Sequence, residues 1–488
     1  MAFNLSGDDV CQATLPTPIP NPYWVAFSST AAKLVDIPLN SSGLPEDPAW
    51  LEVLAGNQLN TSQESFTNPI ATAYSGHQFG VWAGQLGDGR AILLGDIAGQ
   101  ELQLKGAGKT HYSRMGDGRA VLRSSIREFL CSEAMYHLGI ATTRALSVVG
   151  SKKPVLRETL ETAAVCSRLA PSFIRIGHFE HYSSLQNVAR LKELADLLIH
   201  QHYPSCVCVK EPYLELFKNI SERNAILVAQ WQAVGFCHGV LNSDNISALG
   251  LTIDYGPYGF LDHFQIDHIC NHSDQGGRYA YHRQPQIMYW NMACLASALL
   301  PLLELHLSEK ESQDMMRSAL EEFPVIYAQT WQKLFRAKLG LQQTLDEDIP
   351  LLETLLQAMH DSRVDFTSFF RALSTVDSNS KLEDISMRDD FIDRPAIDQW
   401  FESYISRIKV ENISDDERSS RMNRVNPKFI LRNHLAQYAI ERAQQDDFSE
   451  IEKLMHIFSL PYEDQPENEG YAKPPPPGIN PIEVSCSS

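Results

Sequence analysis

The stretch that decides the fold reads His238-Gly-Val-Leu-Asn-Ser-Asp-Asn245, and it is followed by Leu251-Thr-Ile-Asp-Tyr-Gly256. An amide, Asn245, and a carboxylate, Asp254, lie nine residues apart in this stretch. Both supply hard oxygen ligands of the kind that Mg²⁺ prefers while it keeps phosphate oxygens in its shell. The stretch therefore predicts a loop that holds a divalent cation next to a phosphorylated ligand.

The spacing is that of a protein-kinase catalytic loop, H-R-D-L-x-x-x-N, followed by D-F-G. His238 lies seven residues before Asn245, and Asp254-Tyr-Gly takes the place of D-F-G. The kinase base should lie two residues after the histidine, where this chain has Val240. Asp244 is the only acid in the loop. The sequence thus predicts kinase-like metal ligands without the ordinary kinase base.

Upstream, Arg90–Gly95 and Glu101–Lys105 are short apolar or alternating runs that predict strands, and helical spacing of apolar residues begins near Ser125. A Lys at a strand end and a Glu on the next helix is the kinase arrangement for holding nucleotide phosphates, which fits Lys105 and Glu128. Ser125-x-x-Glu128 also reads as a capping box at a helix start. Both interpretations of Glu128 are open at this point.

Two further features are compatible with phosphate binding. The pentapeptide GDGRA occurs at 87–91 and again at 116–120, and each copy is a tight Gly turn followed by Arg. Arg168 and Arg175 lie in a strand-like segment, and guanidinium groups bind phosphates in fork geometry. The alternatives are hairpin turns without a ligand for the repeats and ion pairs for the arginines.

Composition limits the class of protein. The chain has 488 residues, of which 43% are hydrophobic and 21% charged, as in globular proteins. A net charge of −19 argues against non-specific nucleic-acid binding. The N-terminus lacks signal-peptide and transit-peptide patterns, and the nine cysteines form no CxxC, so we expect a cytoplasmic protein. The apolar stretch 287–305 is expected to be a buried helix rather than a membrane span.

The chain divides by composition into a β-rich part and a longer helical part. Further strand candidates are 155–160, 163–169 and 173–176, and amphipathic helical segments dominate after about residue 186. We expect an α+β, bilobal architecture. Its predicted parts are an N-terminal arm at 1–20, an N-lobe at 21–185, a helical C-lobe at 186–460, and a Pro-rich tail at 461–488 that contains Cys486.

Several long blocks resemble the selenoprotein O family of kinase-like protein adenylyltransferases, often called pseudokinases. The similarity runs from about Asn21 to about Asp464 and includes the final CSS. The blocks are HGVLNSDNISALGLTIDYGPYGFLD at 238–262, GHQFGVWAGQLGDGRA at 76–91, ELQLKGAGKTHYSRMGDGRAVLRSSIREFL at 101–130, RYAYHRQPQIMYWNMACLASAL at 278–299 and NPKFILRNHLAQYAI at 426–440.

The resemblance implies a protein-kinase-like fold in which ATP binds in the reverse orientation, so that AMP is transferred to Ser, Thr or Tyr hydroxyls of proteins and pyrophosphate leaves. Transfer of UMP from UTP is an open alternative, and the expected cation is Mg²⁺ or Mn²⁺. The resemblance also assigns roles residue by residue. Asp244 matches the base, Asn245 and Asp254 match the metal ligands, and Lys105 and Glu128 match the ion pair. The nucleotide loop corresponds to Gly87, Gly89 and Arg90, a nucleotide-contacting turn to Asp117 and Gly118, and the phosphate clamp to Arg168 and Arg175.

Cys486 lies where some family members carry selenocysteine, and similar proteins form a tail disulfide, for which Cys270 is the candidate partner here. We expect a monomer with protein substrates and a nucleotide, and no nucleic-acid or membrane partner. Two alternatives stay open: an ordinary phosphotransferase, and a catalytically silent ATP-binding scaffold, which the missing acid at Val240 favours.

Overall fold

Short alternating runs in the first third of the chain form an antiparallel sheet. In the computed structural model, which describes residues 11–476, 478, 482 and 484, eight strands join in the order β1-β3-β6-β7-β10-β9-β2, with β8 paired to β10. The strands are β1 (Cys11–Ala13), β2 (Tyr23–Phe27), β3 (Ile70–Thr72), β4 (Ser75–Gln78), β5 (Val81–Gln85), β6 (Ala91–Ile97), β7 (Gln100–Lys105), β8 (Ala120–Val121), β9 (Arg144–Leu156), β10 (Leu160–Ala170), β11 (Phe236–Cys237) and β12 (Gly259–Phe260).

The alternation along β7 separates the core from the cleft. Leu102 and Leu104 are fully buried in the apolar core beneath the sheet. Gln103 and Lys105 point to the opposite face, as successive strand residues must. Strand β10 pairs antiparallel with β7 so that Arg168 lies opposite Gln103. The sheet thereby brings the long polar side chains of β7 and β10 together on one face.

Helices make up most of the remaining chain, as the amphipathic segments predicted. They are α1 (Ser29–Ala32), α2 (Ala49–Leu54), α3 (Leu122–His137), α4 (Ile176–Ser184), α5 (Val188–His202), α6 (Pro212–Val234), α7 (Gln284–Leu303), α8 (Glu309–Leu320), α9 (Glu322–Lys338), α10 (Asp348–Ser362), α11 (Phe366–Leu373), α12 (Arg394–Ile408), α13 (Asp415–Asn423), α14 (Asn433–Ala443), α15 (Ser449–Ser459) and α16 (Glu469–Ala472). Short 3₁₀ helices lie at Lys33–Val35, Pro204–Cys206, Ser243–Asn245, Tyr281–Arg283, Leu382–Asp384, Ser386–Asp390, Lys409–Glu411 and Pro466–Asn468. The expected α+β architecture is confirmed.

The capping-box interpretation of Ser125 and Glu128 is wrong. Helix α3 begins at Leu122, directly after β8, and its N-cap is Val121. Ser125 therefore lies one turn inside the helix, where it cannot cap the start, and Glu128 is buried on the side that faces the sheet. The pairing of β8 with β10 sets this earlier start.

Two strand predictions need correction. The segment 173–176 is not a strand, because α4 begins at Ile176 with Arg175 as its N-cap. The segment 155–160 spans the end of β9 and the first residue of β10, with the connecting turn at 157–159 between them. Arg175 therefore lies at a helix start beside the sheet rather than within it.

The catalytic-loop segment lies between two short strands of the helical part. Helix α6 ends at Val234, β11 follows at once, and β12 pairs antiparallel with β11 after the loop. His238 stacks on Trp231 with ring centroids 5.5 Å apart, and its Nε2 is 2.9 Å from the Ile253 carbonyl oxygen. This buried histidine ties the first half of the loop to the second.

Helix α7 contains the most apolar stretch. Among the described residues, Tyr281–Leu303 is the one helical stretch whose length and hydropathy are sufficient to cross a membrane, and 56% of its window is buried within the protein. Met288, Met292 and Leu295 are fully buried in the main core. Because these side chains pack against protein, α7 serves as a core helix in this fold, as the sequence predicted.

Candidate functional site

A cleft between the sheet and the catalytic-loop segment encloses a cavity of about 420 Å³. This volume lies within the usual range for small-molecule sites, about 300–1,000 Å³. Nine of the residues singled out in the sequence line it: Gly87, Gly89, Arg90, Lys105, Arg168, Arg175, Asp244, Asn245 and Asp254. Residues up to 167 positions apart in the chain, from Gly87 to Asp254, thus meet at one cavity.

Lys105 forms the ion pair that the kinase comparison predicts. Its Nζ lies 2.6 Å from Glu128 Oε2 and 3.7 Å from Asp254 Oδ1. Burial lowers the pKa of Lys105, and Glu128 opposes that shift. Burial also acts to raise the pKa of Glu128, but Lys105 and Arg168 outweigh it and hold the pKa below its ordinary value. Glu128 is therefore held ionised, and the pair places the Lys105 amino group at the cavity wall.

Arg168 and Arg175 converge on Asp254. Arg168 Nη1 donates to Glu128 Oε1 at 2.9 Å and to Asp254 Oδ1 at 2.7 Å. Arg175 Nη1 donates to the other oxygen of Asp254, and also to the backbone carbonyl of Asp244 at 3.1 Å. Burial acts to raise the pKa of Asp254, but Arg175, Arg168 and Lys105 hold it well below its ordinary value. Three cations and two carboxylates meet here, so the cluster has a net positive charge.

Asp254 and Asn245 are held by contacts that position their oxygens. Asp254 adopts a φ of 56°, a left-handed conformation that is uncommon outside glycine. Asn245 Nδ2 donates to the Val240 carbonyl at 3.1 Å, which fixes the amide plane. Among the described residues, none donates to Asn245 Oδ1. A carboxylate and an amide oxygen that line one cavity fit the hard ligand set of Mg²⁺ or Mn²⁺.

Asp244 differs from Glu128 and Asp254, the two ion-paired acids of the cleft. It is 6% exposed, its Oδ1 is buried with no hydrogen-bond partner in the described part of the chain, and its Oδ2 accepts from Gln78 Nε2 at 3.2 Å. Burial raises the pKa of Asp244 to about 6, with Gln78 and Arg175 opposing the shift. A carboxyl with a pKa near neutrality can take up a proton at physiological pH, as a general base must.

The first GDGRA copy forms the loop on the sheet side of the cavity. Gly87 has a φ of 148°, and a Cβ there would lie 2.4 Å from the ring of Tyr112. Thr110 Oγ1 donates to the Asp88 carbonyl at 2.7 Å, and Ser113 Oγ donates to the Gly89 carbonyl at 2.5 Å. Only glycine fits at position 87, where the segment 110–113 supports the loop from behind.

The second GDGRA copy does not reach the cavity wall. Asp117 is bound by Arg157, whose Nη2 lies 2.9 Å from Oδ1, and its side chain is 45% exposed. Gly118 has a φ of 70°, and a Cβ there would lie 2.1 Å from the Gly108 carbonyl oxygen, so close packing of two loops requires glycine. The nucleotide-contacting role of Asp117 and Gly118 stays a prediction from the resemblance.

Sequence reasoning gave no role to two residues that line the cavity. Gln78 is at the end of β4 and contacts Asp244 across 166 positions of sequence. Asp88 is 4% exposed, and its Oδ2 accepts from the backbone N and the hydroxyl of Thr72, at 3.0 and 2.6 Å. Both residues lie in the family-like block at 76–91, and Asp88 belongs to the first GDGRA repeat. Membership of that block and repeat is the sequence feature that could have identified them as site residues.

The predicted redox pair extends beyond the described part of the chain. Cys486 lies outside the described residues. Cys270 is partly buried, and its Sγ lies 3.4 Å from the Cys237 carbonyl. Val484 forms a parallel bridge with Asn271 and accepts a hydrogen bond from the backbone N of His272 at 3.0 Å. The tail therefore lies alongside the neighbours of Cys270 two residues before Cys486.

Comparison with known proteins identifies the family of the chain. The sequence model of a family described as protein adenylyltransferase SelO matches residues 3–459. The protein nucleotidyltransferase YdiU of Cupriavidus metallidurans is 51% identical over 486 residues, which covers 97% of this chain and 88% of the relative. The protein of the same name in Burkholderia multivorans is 51% identical over 499 residues, with coverage of 100% and 95%. The chain belongs to the SelO family of protein adenylyltransferases, enzymes that transfer a nucleotidyl group to proteins.

Proposed function

We propose that this cleft transfers AMP from ATP to Ser, Thr or Tyr hydroxyls of proteins, with Asp244 as the base. One observation carries the proposal: a buried carboxyl with a pKa of about 6 lines the same cavity as Lys105, Arg168 and Arg175. A base and a polyphosphate site within one cavity are what nucleotidyl transfer to a hydroxyl requires.

The cationic cluster would bind the triphosphate. Lys105, Arg168 and Arg175 carry three positive charges against the two carboxylates Glu128 and Asp254. Guanidinium forks match phosphate oxygens, and burial strengthens each interaction by lowering the local dielectric. Gly87, Gly89 and Arg90 would cover the phosphates from the sheet side. These groups would stabilise the charge that develops on the leaving pyrophosphate.

Asn245 and Asp254 would hold the cation. Their oxygens fit Mg²⁺ or Mn²⁺ by donor type, and both residues line the cavity. When bound, the ion neutralises phosphate charge and orients the triphosphate. In this structure Arg168 and Arg175 each donate to one oxygen of Asp254 and keep it ionised, so a bound cation would have to share this carboxylate with them.

Asp244 would take the proton of the acceptor hydroxyl. The hydroxyl oxygen attacks the α-phosphorus, the bond from that phosphorus to the bridging oxygen of the β-phosphate breaks, and pyrophosphate leaves with the bond electrons. Val240 also lines the cavity at the position of the kinase base and offers no carboxylate. A reversed ATP, with its α-phosphate toward the acceptor, is consistent with that absence and with the base at Asp244.

Differential labelling tests the proposal. The purified chain is incubated with Mg²⁺ or Mn²⁺ and a protein acceptor, or by itself for self-modification, with either α-³²P-ATP or γ-³²P-ATP. We expect protein label from the α-position alone, and an adduct of AMP mass in intact-mass spectra. Label from the γ-position would indicate an ordinary phosphotransferase, and nucleotide binding without any label would indicate a silent scaffold.

The matched variant is Asp254→Ala, which removes the central carboxylate of the cleft. We expect it to lose metal-dependent labelling, and a wild-type rate would refute the site assignment. A parallel reaction with UTP measures UMP transfer by the same site.

The surroundings of the enzyme complete the proposal. We infer a cytoplasmic monomer whose partners are nucleotides and protein substrates, without nucleic-acid or membrane partners. The net charge of −19 supports the exclusion of nucleic acid because the summed field repels phosphate backbones.

A further inference from the structure

A second cavity, of about 490 Å³, lies on the other side of strand β4 from the catalytic loop. His77 on β4, Glu180 on α4 and Cys294 on α7 line it. One ligand atom from each of these residues lies within 4.8 Å of the other two. Three separate elements thus bring a nitrogen, an oxygen and a sulfur donor together.

One carboxylate oxygen of this triad has no hydrogen-bond partner among the described residues. The Glu180 side chain is 4% exposed, and its Oε2 is buried without a hydrogen-bond partner among the described residues. Its Oε1 lies 2.7 Å from His77 Nδ1. A buried carboxylate oxygen without a partner carries a desolvation cost, which a bound cation would offset.

Packing fixes the orientation of the imidazole. The His77 ring makes edge contacts with Trp82 and Trp290, with centroids 5.0 and 5.1 Å away. A ring held on both sides presents its nitrogens in constant directions, which lowers the entropy cost of binding an ion.

We propose that His77, Glu180 and Cys294 form a zinc site distinct from the nucleotide cleft. A set of one nitrogen, one sulfur and one carboxylate oxygen is typical of Zn²⁺, whereas Mg²⁺ prefers oxygen ligands alone. Three protein ligands leave the fourth tetrahedral position to water from the cavity.

Zinc binding would change the protonation state of the Cys294 thiol. Burial, with Glu180 as a second cause, raises the pKa of Cys294 to about 12, so the free thiol is protonated and unreactive. Binding of zinc would displace that proton, because a coordinating thiol is deprotonated.

The site would also anchor the catalytic loop. The His77 backbone N donates to Ser243 Oγ at 2.8 Å, and the next residue, Gln78, donates to Asp244. An ion on the His77 imidazole would therefore tie β4 to helices α4 and α7 while β4 contacts the base.

The test uses the full chain, reduced and stripped of metal with a chelator. Co²⁺ is added as a spectroscopic probe and then displaced with Zn²⁺, and bound zinc is measured by elemental analysis. We expect one zinc per chain, tetrahedral d–d bands, and a thiolate-to-cobalt charge-transfer band in the near ultraviolet. Wild-type protein that takes up no zinc, or that binds cobalt without a thiolate band, would overturn the proposal.

The variants are Cys294→Ser and His77→Gln, with Cys208→Ser as the control because Cys208 is an exposed free cysteine outside the triad. Loss of a direct ligand should weaken zinc binding by more than the about 10–100-fold typical of outer partners. We expect Cys294→Ser to lose the thiolate band as well, and Cys208→Ser to match wild type. Wild-type zinc affinity in both triad variants, with circular dichroism unchanged, would refute the site.

Discussion

Replacing Asp244 by asparagine should stabilise the fold at neutral pH while it removes the activity. The rise in the pKa of Asp244 from 3.8 to about 6 means that the ionised carboxylate is less stable in the cleft than in the unfolded chain. At about 1.36 kcal/mol per pKa unit, ionised Asp244 lowers the free energy of unfolding by about 3 kcal/mol above pH 6. Asparagine has a similar shape and no charge, so it avoids this cost.

The pH dependence of the effect follows from linkage. The folded state binds the Asp244 proton more tightly than the unfolded state does, so the wild type is destabilised as the pH rises from 3.8 to about 6. The stability advantage of Asp244→Asn should be about 3 kcal/mol at pH 8, about half of that near pH 5, and close to zero below pH 4. Urea unfolding of both proteins at these pH values measures the free energy difference.

Catalysis gives the second readout. Labelling by wild type from α-³²P-ATP should rise about tenfold per pH unit up to about pH 6 and then level off, because the base acts in its ionised form. Loss of a general base typically costs about 10²–10⁴-fold in rate, and the variant should lose the pH dependence as well. A variant that keeps the wild-type rate, or whose stability difference does not change with pH, would refute the assignment of Asp244.

Three further predictions concern the Lys105–Glu128 ion pair, Asp117, and the cysteine pair. Lys105→Met leaves Glu128 buried with Arg168 as its remaining partner, so we expect a loss in unfolding free energy smaller than the about 3–5 kcal/mol of a fully unpaired buried charge. Adding Glu128→Gln should recover stability but not ATP affinity, and recovery of both would contradict the phosphate role. Asp117→Ala should leave the KM for ATP unchanged, because this carboxylate pairs with Arg157 and does not line the cavity; a raised KM would support the nucleotide contact that the resemblance predicts. Mild oxidation with oxidised glutathione should join Cys270 to Cys486, seen as one linked peptide in non-reducing mass spectrometry; two free thiols would count against the pair.

The parts of the site that rest on short-range spacing could be predicted from the sequence. The seven residues from His238 to Asn245 and the nine from Asn245 to Asp254 are close enough that loop geometry alone places both ligands on one cavity. The alternation in the run Glu101–Lys105 likewise predicted a strand, and strand geometry places Lys105 on the face opposite Leu102 and Leu104. In each case a local period or spacing carries the information.

Other features depend on contacts between distant segments. Gln78 reaches Asp244 because strand β4 lies against the catalytic loop, and no local pattern in the chain records that approach. The apolar neighbours of Arg175 predict a strand, whereas in the folded protein Arg175 is the N-cap residue of α4. Local propensity could not separate a buried strand from a buried helix start.

The charged groups of the cleft favour polyphosphate binding more than they favour the stability of the fold. Buried ion pairs such as Arg168 with Glu128 and Asp254 often stabilise a fold no more than well-packed apolar residues would. The left-handed φ of Asp254 adds strain on the order of 1–3 kcal/mol. These costs keep two guanidinium groups and an ammonium group fixed, dehydrated and net positive before any ligand arrives. A polyphosphate then binds to charged groups that need little reorganisation. Asp244 stays basic enough to take a proton because the cationic side chains lie closer to Asp254 and lower the pKa of Asp254 instead.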